Sequence, residues 1–222
     1  MELCDLLQIP RGITCLIGGG GKTTALALLG RELSRRGTVI LCTTTHIRPV
    51  AGFPLAPNSE SGLRKTLARH SALCVGTPAE EGKLTSPAIP MARLQALADY
   101  VLVEADGARH RPCKAHAPHE PVIPLETAFT LLLLGAEGFG RPISECAHRP
   151  ERYAPLALAE PEDRITPELA ARVLLAEDLH DAVFINQMES PRQEAMARQL
   201  AALLPCPVYG GALQKGVWKC LS

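Results

Sequence analysis

Short apolar runs alternate with helix-period segments along most of the chain. That is the pattern of a mostly parallel sheet whose strands are joined through helices. The run 13–17 reads as a first buried strand. Segment 22–36 reads as a helix with Leu26, Leu29 and Leu33 on one side, ended by Gly37. Further strands are expected at 39–42, 72–75, 100–103, 130–134, 182–185 and 207–209, with helices at 63–69 and 89–98. Thr166-Pro167 is a helix start, a capping hydroxyl before a proline at the first helical position. Ser190-Pro191-Arg192-Gln193 has the form of a capping box and opens a helix running to 204. Two stretches break the alternation. Segment 48–58 is rich in proline and small residues, and 107–124 holds four prolines and three histidines. Irregular segments of that length are usually functional or mobile.

The first strand runs into Gly18-Gly19-Gly20-Gly21-Lys22-Thr23-Thr24, with a helix directly behind. A strand before and a helix after are the context a phosphate loop requires. Glycine lets consecutive backbone amides turn inward as an anion nest, and the helix N-terminus adds its positive dipole end. Lys22 is then placed to reach the outer phosphates, the Thr23 hydroxyl to ligate Mg²⁺, and Thr24 to bond an inner phosphate. The widespread G-x-x-x-x-G-K-[ST] spacing calls for glycine at position 16, where Leu16 stands. The chain fits the shorter G-x-x-G-K-[ST]-[ST] form, as in the Mur-ligase type of loop. It also partly resembles the loop of dimeric metallochaperone and partitioning ATPases, with Ile17 in place of their first lysine. The fold expected is a P-loop NTPase-like three-layer α/β/α domain with a mostly parallel central sheet. It spans residues 1–222, with irregular loops at about 48–58 and 107–124.

Candidate partners for the loop sit at other strand ends. Tyr100-Val101-Leu102-Val103 ends in Glu104-Ala105-Asp106-Gly107, and alternation puts Glu104 and Asp106 on one side. In open parallel sheets the ligand lies beyond the carboxyl ends of the strands. One of these acids suits Mg²⁺ and the other suits an attacking water. Thr43-Thr44-Thr45-His46 emerges at the same edge, and Thr45 is a candidate for phosphate or Mg²⁺ contact. Asn186-Gln187-Met188-Glu189 stands where many GTPases carry N-K-x-D, so Asn186 is a candidate base contact. Gln187 and Glu189 replace the lysine and the acid of that motif. In the second irregular segment, His116 and His119 have ligand spacing, but a substrate- or partner-facing loop is the preferred reading. Arg109 and Arg111 are candidates for phosphate charge.

Composition narrows the classes. The chain has 222 residues, 46% hydrophobic and 21% charged, an ordinary globular composition. With 23 basic and 23 acidic residues the net charge is zero, which argues against broad capture of nucleic acid or membrane. Aromatics at 4% leave few stacking platforms for single strands. The eight cysteines lack zinc-site spacing, and Cys15, Cys42 and Cys74 sit in apolar runs as small hydrophobes. No basic-then-apolar leader opens the sequence, and a cytoplasmic protein with reduced thiols is expected.

The combination resembles the YqeC-type family of selenium-dependent hydroxylase accessory proteins. The residues that carry the likeness are Ile17 through Thr24, Thr43-Thr44-Thr45, Val103-Glu104-Ala105-Asp106-Gly107-Ala108-Arg109 and Lys114. His119-Glu120-Pro121-Val122-Ile123-Pro124, His148-Arg149-Pro150-Glu151 and Ile185-Asn186 complete the set. The resemblance implies a nucleotide-binding protein of the P-loop class that helps mature selenium-dependent molybdenum hydroxylases. Its implied cofactors are Mg²⁺ and ATP or GTP. Its implied partners are the hydroxylase or its maturation factors. Three functions compete at this point: an NTPase driving insertion of a cofactor or selenium, an ATP-dependent ligase or kinase on a small molecule, and a non-hydrolysing nucleotide sensor. A homodimer over nucleotide follows only by analogy with other P-loop ATPases.

Overall fold

Strands covered on both faces carry unbroken apolar sequence, and this chain follows that rule closely. A computed structural model describes residues 1–222. Eight strands form a mostly parallel sheet: β1 (Gly12–Gly18), β2 (Val39–Thr43), β3 (Ala72–Cys74), β4 (Tyr100–Glu104), β5 (Thr127–Gly135), β6 (Ala182–Asn186), β7 (Val208–Ala212) and β8 (Val217–Cys220). Their order is β8-β7-β6-β5-β1-β4-β2-β3. The pairs β1–β4, β4–β2, β2–β3, β5–β6 and β6–β7 are parallel. Parallel neighbours need long crossovers, and helices supply most of them. With the glycine loop between β1 and the next helix, this is a P-loop-like α/β fold. Strand β8 runs antiparallel, against β7. It was not expected from the sequence, because Val-Trp-Lys-Cys is short and largely open to solvent, with no apolar face to read. No helix is long and apolar enough to cross a membrane.

The chain divides into two compact units. The first comprises residues 1–16, 23–106 and 122–129. In it, all five residues of β2 and of β4 are buried. Helix α1 (Lys22–Leu33) ends three residues before the predicted bound. Its last turn closes when the Gly37 amide donates to the Leu33 carbonyl at 3.1 Å. Buried Glu32 accepts from the Leu3 and Cys4 amides at 3.0 and 2.8 Å, and so caps the helical turn Leu3–Leu6. Helix α2 (Glu60–Leu67) starts earlier than expected because Ser59 caps it, accepting from the Gly62 amide at 3.2 Å. Helix α3 (Met91–Leu97) leads into β4. Segment 48–58 is irregular, as predicted, apart from a bridge between Leu55 and Cys74.

The second unit comprises residues 17–22, 107–121 and 130–222. Helix α4 (Pro150–Ala157) was not anticipated, since Pro155 lies inside it and breaks the pattern. Helix α5 (Pro167–Glu177) starts where the sequence placed it, with Thr166 Oγ1 accepting from the Leu169 amide at 3.3 Å. Helix α6 (Pro191–Ala201) has the expected cap with one change. Ser190 Oγ accepts from the Gln193 amide at 3.3 Å, but Gln193 Oε1 accepts the Glu189 amide at 3.0 Å instead of the Ser190 amide.

Segment 107–121 is held by buried charge. The Lys114 ammonium, fully covered, donates to the Gly107 carbonyl and to Glu120 Oε2. Arg149 pairs with Glu120 Oε1. Cys113–Lys114 also forms a short parallel ladder with Ala147–His148. Burial alone raises the pKa of Glu120. Lys114, by hydrogen bond and charge, and then Arg149 outweigh it, so the carboxyl is held below its ordinary value. The expectation of a loop facing a substrate or partner is corrected for Lys114 and His116, which are both buried. The His116 amide donates to Glu177 Oε1 at 2.6 Å, and its Nδ1 lies 2.8 Å from Glu177 Oε2. The cysteines are all free, and burial pushes the Cys15 thiol up to about 11, in keeping with an inert small hydrophobe.

Two outcomes follow. Thr166→Ala removes a helix cap and lowers unfolding stability by about 1 kcal/mol in urea titration, with no change in slope. Glu120→Gln leaves buried Lys114 and half-buried Arg149 short of an anion and costs roughly 3 kcal/mol near neutral pH. The folded carboxyl titrates below its unfolded value of about 4.3, so its contribution is complete above that pH. It is lost as pH falls through the folded value. The stability gap between parent and variant stays constant from about pH 7 to 5 and shrinks below about pH 4. A gap independent of pH down to the acid transition would contradict this.

Candidate phosphate loop and strand-end acids

The loop after β1 is shaped by what it has no room for. A Cβ at Gly18 would lie 2.2 Å from the Leu133 carbonyl oxygen, and one at Gly20 would lie 2.4 Å from the Gly135 nitrogen. At Gly19 it would meet the Arg111 carbonyl oxygen at 2.5 Å, and at Gly21 the Asn186 amide at 2.4 Å. Gly18, Gly20 and Gly21 also have φ values of 90°, 73° and 123°, which side chains disfavour. The sequence expected all these amides to form the nest. In this structure the Gly19 amide donates to the Leu133 carbonyl at 2.8 Å and the Gly20 amide to the Arg111 carbonyl at 3.2 Å. The opening amides of α1, by helix geometry, have no intrahelical acceptor. Lys22 is 6% exposed and its Nζ donates to the Gly18 carbonyl at 2.6 Å. Its ammonium is thus folded back across the turn.

Asn186, at the end of β6, braces this loop. Its Nδ2 donates to the Gly20 carbonyl at 2.7 Å, and its Oδ1 accepts from the Leu213 amide at 3.0 Å. Both ends of the buried side-chain amide have partners, as burial requires. The Gly135 amide donates to the Pro112 carbonyl at 2.8 Å. The parts played by the Arg111 and Pro112 carbonyls were not read from the sequence, since main-chain acceptors leave no residue signature.

In the first unit, Thr23 follows Lys22 directly and its hydroxyl donates to Glu104 Oε2 at 2.9 Å. Thr23 is exposed and Glu104 is buried at the end of β4. A hydroxyl and a carboxylate side by side are hard oxygen donors of the kind Mg²⁺ takes. The Ala105 amide still pairs with the Leu16 carbonyl at 3.1 Å, so the β1–β4 ladder runs one residue past the strand. Asp106 comes next and is fully buried. Thr43 Oγ1 donates to the Glu104 carbonyl at 2.7 Å and accepts from the Thr45 amide at 2.9 Å, which turns the chain there and sets Thr45 Oγ1 3.3 Å from Thr43 Oγ1. Thr44 Oγ1 donates to the Val122 carbonyl at 2.8 Å. Glu104, Thr23, Thr43 and Thr45 are therefore brought together. Thr24 is half-buried in the first turn of α1, and His46 is exposed.

The histidine pair does not form a metal centre. His119 is exposed while His116 is taken up by Glu177. The three ligating side chains close enough to share an ion are Glu2, Cys4 and Asp5, whose two acids pair with Arg35 and Arg36.

Comparison with known proteins adds the family. A family model described as "YqeC protein" matches residues 14–151, which include the loop, the strand-end acids and the Lys114–Glu120–Arg149 network. A protein of Escherichia coli (strain K12) described as "Uncharacterized protein YqeC" is 30% identical over 159 residues, 68% of this chain and 62% of that one. The chain thus spans under two thirds of that relative's length. Among solved structures, the 54 kDa signal recognition particle protein of Aeropyrum pernix K1, in complex with GDP, aligns at a TM-score of 0.43 and 16% identity. That alignment covers 96% of this chain and 44% of the other, and the fold argument rests on the sheet and loop instead. With its match across the loop, the acids and the buried network, the chain belongs to the YqeC family.

Proposed function

We propose that this protein binds a nucleoside triphosphate with Mg²⁺ and hydrolyses it to assist maturation of a selenium-dependent molybdenum hydroxylase. The observation that carries nucleotide binding is the glycine turn with no space for a Cβ, across which the Lys22 ammonium is folded. In this reading the first amides of α1 and the Lys22 ammonium neutralise the outer phosphates. Thr24 serves an inner phosphate. The Thr23 hydroxyl and the Glu104 carboxylate hold Mg²⁺, directly or through water, and Thr45 lies beside them. When bound, the cation neutralises charge on the phosphate oxygens. Asp106 is the candidate to orient the attacking water. Asn186 keeps Gly20 in place and is the candidate contact for the base.

The hydroxylase, or another of its maturation factors, is the proposed partner, on the family resemblance alone. A homodimer formed over nucleotide is part of the same proposal. The reading is tested by calorimetry with ATP, GTP and their non-hydrolysable analogues, with and without Mg²⁺. Saturable, Mg²⁺-strengthened binding of one nucleotide is expected. A client apo-hydroxylase is expected to accelerate release of phosphate. A phosphorylated small-molecule product would point to a kinase or ligase. Tight binding with no turnover, even beside the client, would point to a sensor.

Two variants sharpen this. Lys22→Ala removes the ammonium and weakens triphosphate binding at least tenfold, about 1.4 kcal/mol, by calorimetry. Thr23→Val deletes the hydroxyl that meets Glu104. It leaves Mg²⁺-free binding near the parent value and erases most of the gain from the metal, read as the ratio of affinities with and without Mg²⁺.

A further inference from the structure

The second unit holds a basic hollow that the nucleotide reading does not use. It has a volume of about 410 Å³, and its lining includes Arg109, Arg111, Ser144, His148, Arg149 and Glu151. Three arginines and one glutamate line it, and behind them Glu120 pairs with Arg149 and Lys114. Burial first, then the charges of Arg149 and Lys114, hold His148 below its ordinary value, so at neutral pH it is an uncharged hydrogen-bonding group. Arg149 gives one nitrogen to Glu120, while its Nη1 is buried without an acceptor. The fold leaves that guanidinium half satisfied.

The backbone around the hollow is unusual as well. Arg109, His110 and Arg149 have φ values of 47°, 60° and 63°, in the left-handed region that side chains disfavour. Such conformations gather at ligand sites when the surroundings hold them in place. Arg149 is also the N-cap residue of α4 and makes no side-chain cap. In the opening turn of that helix Pro150 has no N–H and the Arg152 and Tyr153 amides donate to the Arg149 carbonyl, so the rim offers the Glu151 amide alone.

We infer that this hollow is a second anion site, which takes the phosphate monoester group of a small molecule. A dianion matches the surplus of two positive charges left when Arg109, Arg111, Arg149 and Lys114 are set against Glu120 and Glu151, and paired guanidinium groups suit its tetrahedral oxygens. The volume is in the range of small-molecule pockets and accommodates more than a bare ion. The inference does not rest on nucleotide hydrolysis. Its one tie to the glycine loop is Arg111, whose carbonyl accepts the Gly20 amide.

Calorimetry on the full chain carrying Lys22→Ala tests the site with the glycine loop disabled. The probes are phenyl phosphate, benzoate and inorganic phosphate in about 150 mM salt, where loose surface attraction is screened. One equivalent of phenyl phosphate should bind at least tenfold more tightly than benzoate, and several-fold more tightly than inorganic phosphate. Arg109→Gln with Arg111→Gln, both at exposed positions, should weaken it at least tenfold. Should that double variant not fold, Glu151→Lys supplies the opposite arm and should tighten binding several-fold. No saturable binding, binding indifferent to these substitutions, or equal affinity for benzoate overturns the site. Equal affinity for inorganic phosphate overturns the ester. Failure of the nucleotide reading would appear separately, as an absence of ATP and GTP binding by the parent chain.

Discussion

Four consecutive glycines allow separate stretches of backbone to meet where a methyl group would not fit. The end of β5, the Arg111–Pro112 peptide and the Asn186 amide all lie within 2.6 Å of where a Cβ would stand on one or another of them. Any side chain there would push a main-chain carbonyl or amide aside, and those groups are already hydrogen-bonded. The turn is thus fixed by contact on its outer side, which leaves its inner side to the opening of α1 and to Lys22. In the nucleotide complex proposed above, a phosphate at that side meets a loop already held in place. There the ammonium trades the Gly18 carbonyl for phosphate oxygens, so that the acceptor as well as the donor is charged.

The position of Arg111 depends in turn on the buried charges of the segment that follows it. Lys114, Glu120 and Arg149 form one network, and His116 with Glu177 forms another, to which Arg152 adds a hydrogen bond from Nε to the His116 carbonyl at 2.9 Å. Buried ion pairs seldom add net stability over a well-packed apolar substitute. Their effect here is positional. A stretch with little regular structure acquires one conformation, because every alternative would strand a charge away from water. That conformation brings the Arg111 and Pro112 carbonyls to the glycine turn and the end of β5. The irregular segment thus supports the loop from behind.

Much of this was legible in the sequence, for identifiable reasons. The seven strands that pair in parallel appear as apolar runs because both faces are covered, and the glycine loop is legible because a strand, four glycines and Lys-Thr-Thr leave few alternatives. The caps at Thr166 and Ser190 follow from local chemistry. What escaped was non-local or atypical. Helix α4 carries an internal proline, β8 lacks an apolar face, and Glu177 meets His116 across 61 residues with no spacing to announce it. Lys114, Glu120 and Arg149 were each singled out, but their pairing was not, because a one-dimensional string does not say which charges share a buried volume.

Asn186 shows how a residue singled out in the sequence for one role takes up another in the structure. From its place after β6 it looked like a base contact. In the structure its carbonyl oxygen is bound by the Leu213 amide and its nitrogen by the Gly20 carbonyl. An amide nitrogen carries two hydrogens, so one donor direction remains for a ligand. A single donor can meet an acceptor nitrogen on either purine and so does not distinguish adenine from guanine. Discrimination needs a second group aimed at the edge where the two bases differ. The position that supplies an acid in N-K-x-D is Glu189 here, and its carboxylate pairs with the Lys215 ammonium at 2.7 Å. In the nucleotide complex proposed above, base choice is therefore decoupled from phosphate capture: the second rests on the glycine turn, and the first on whether Glu189 exchanges Lys215 for a base.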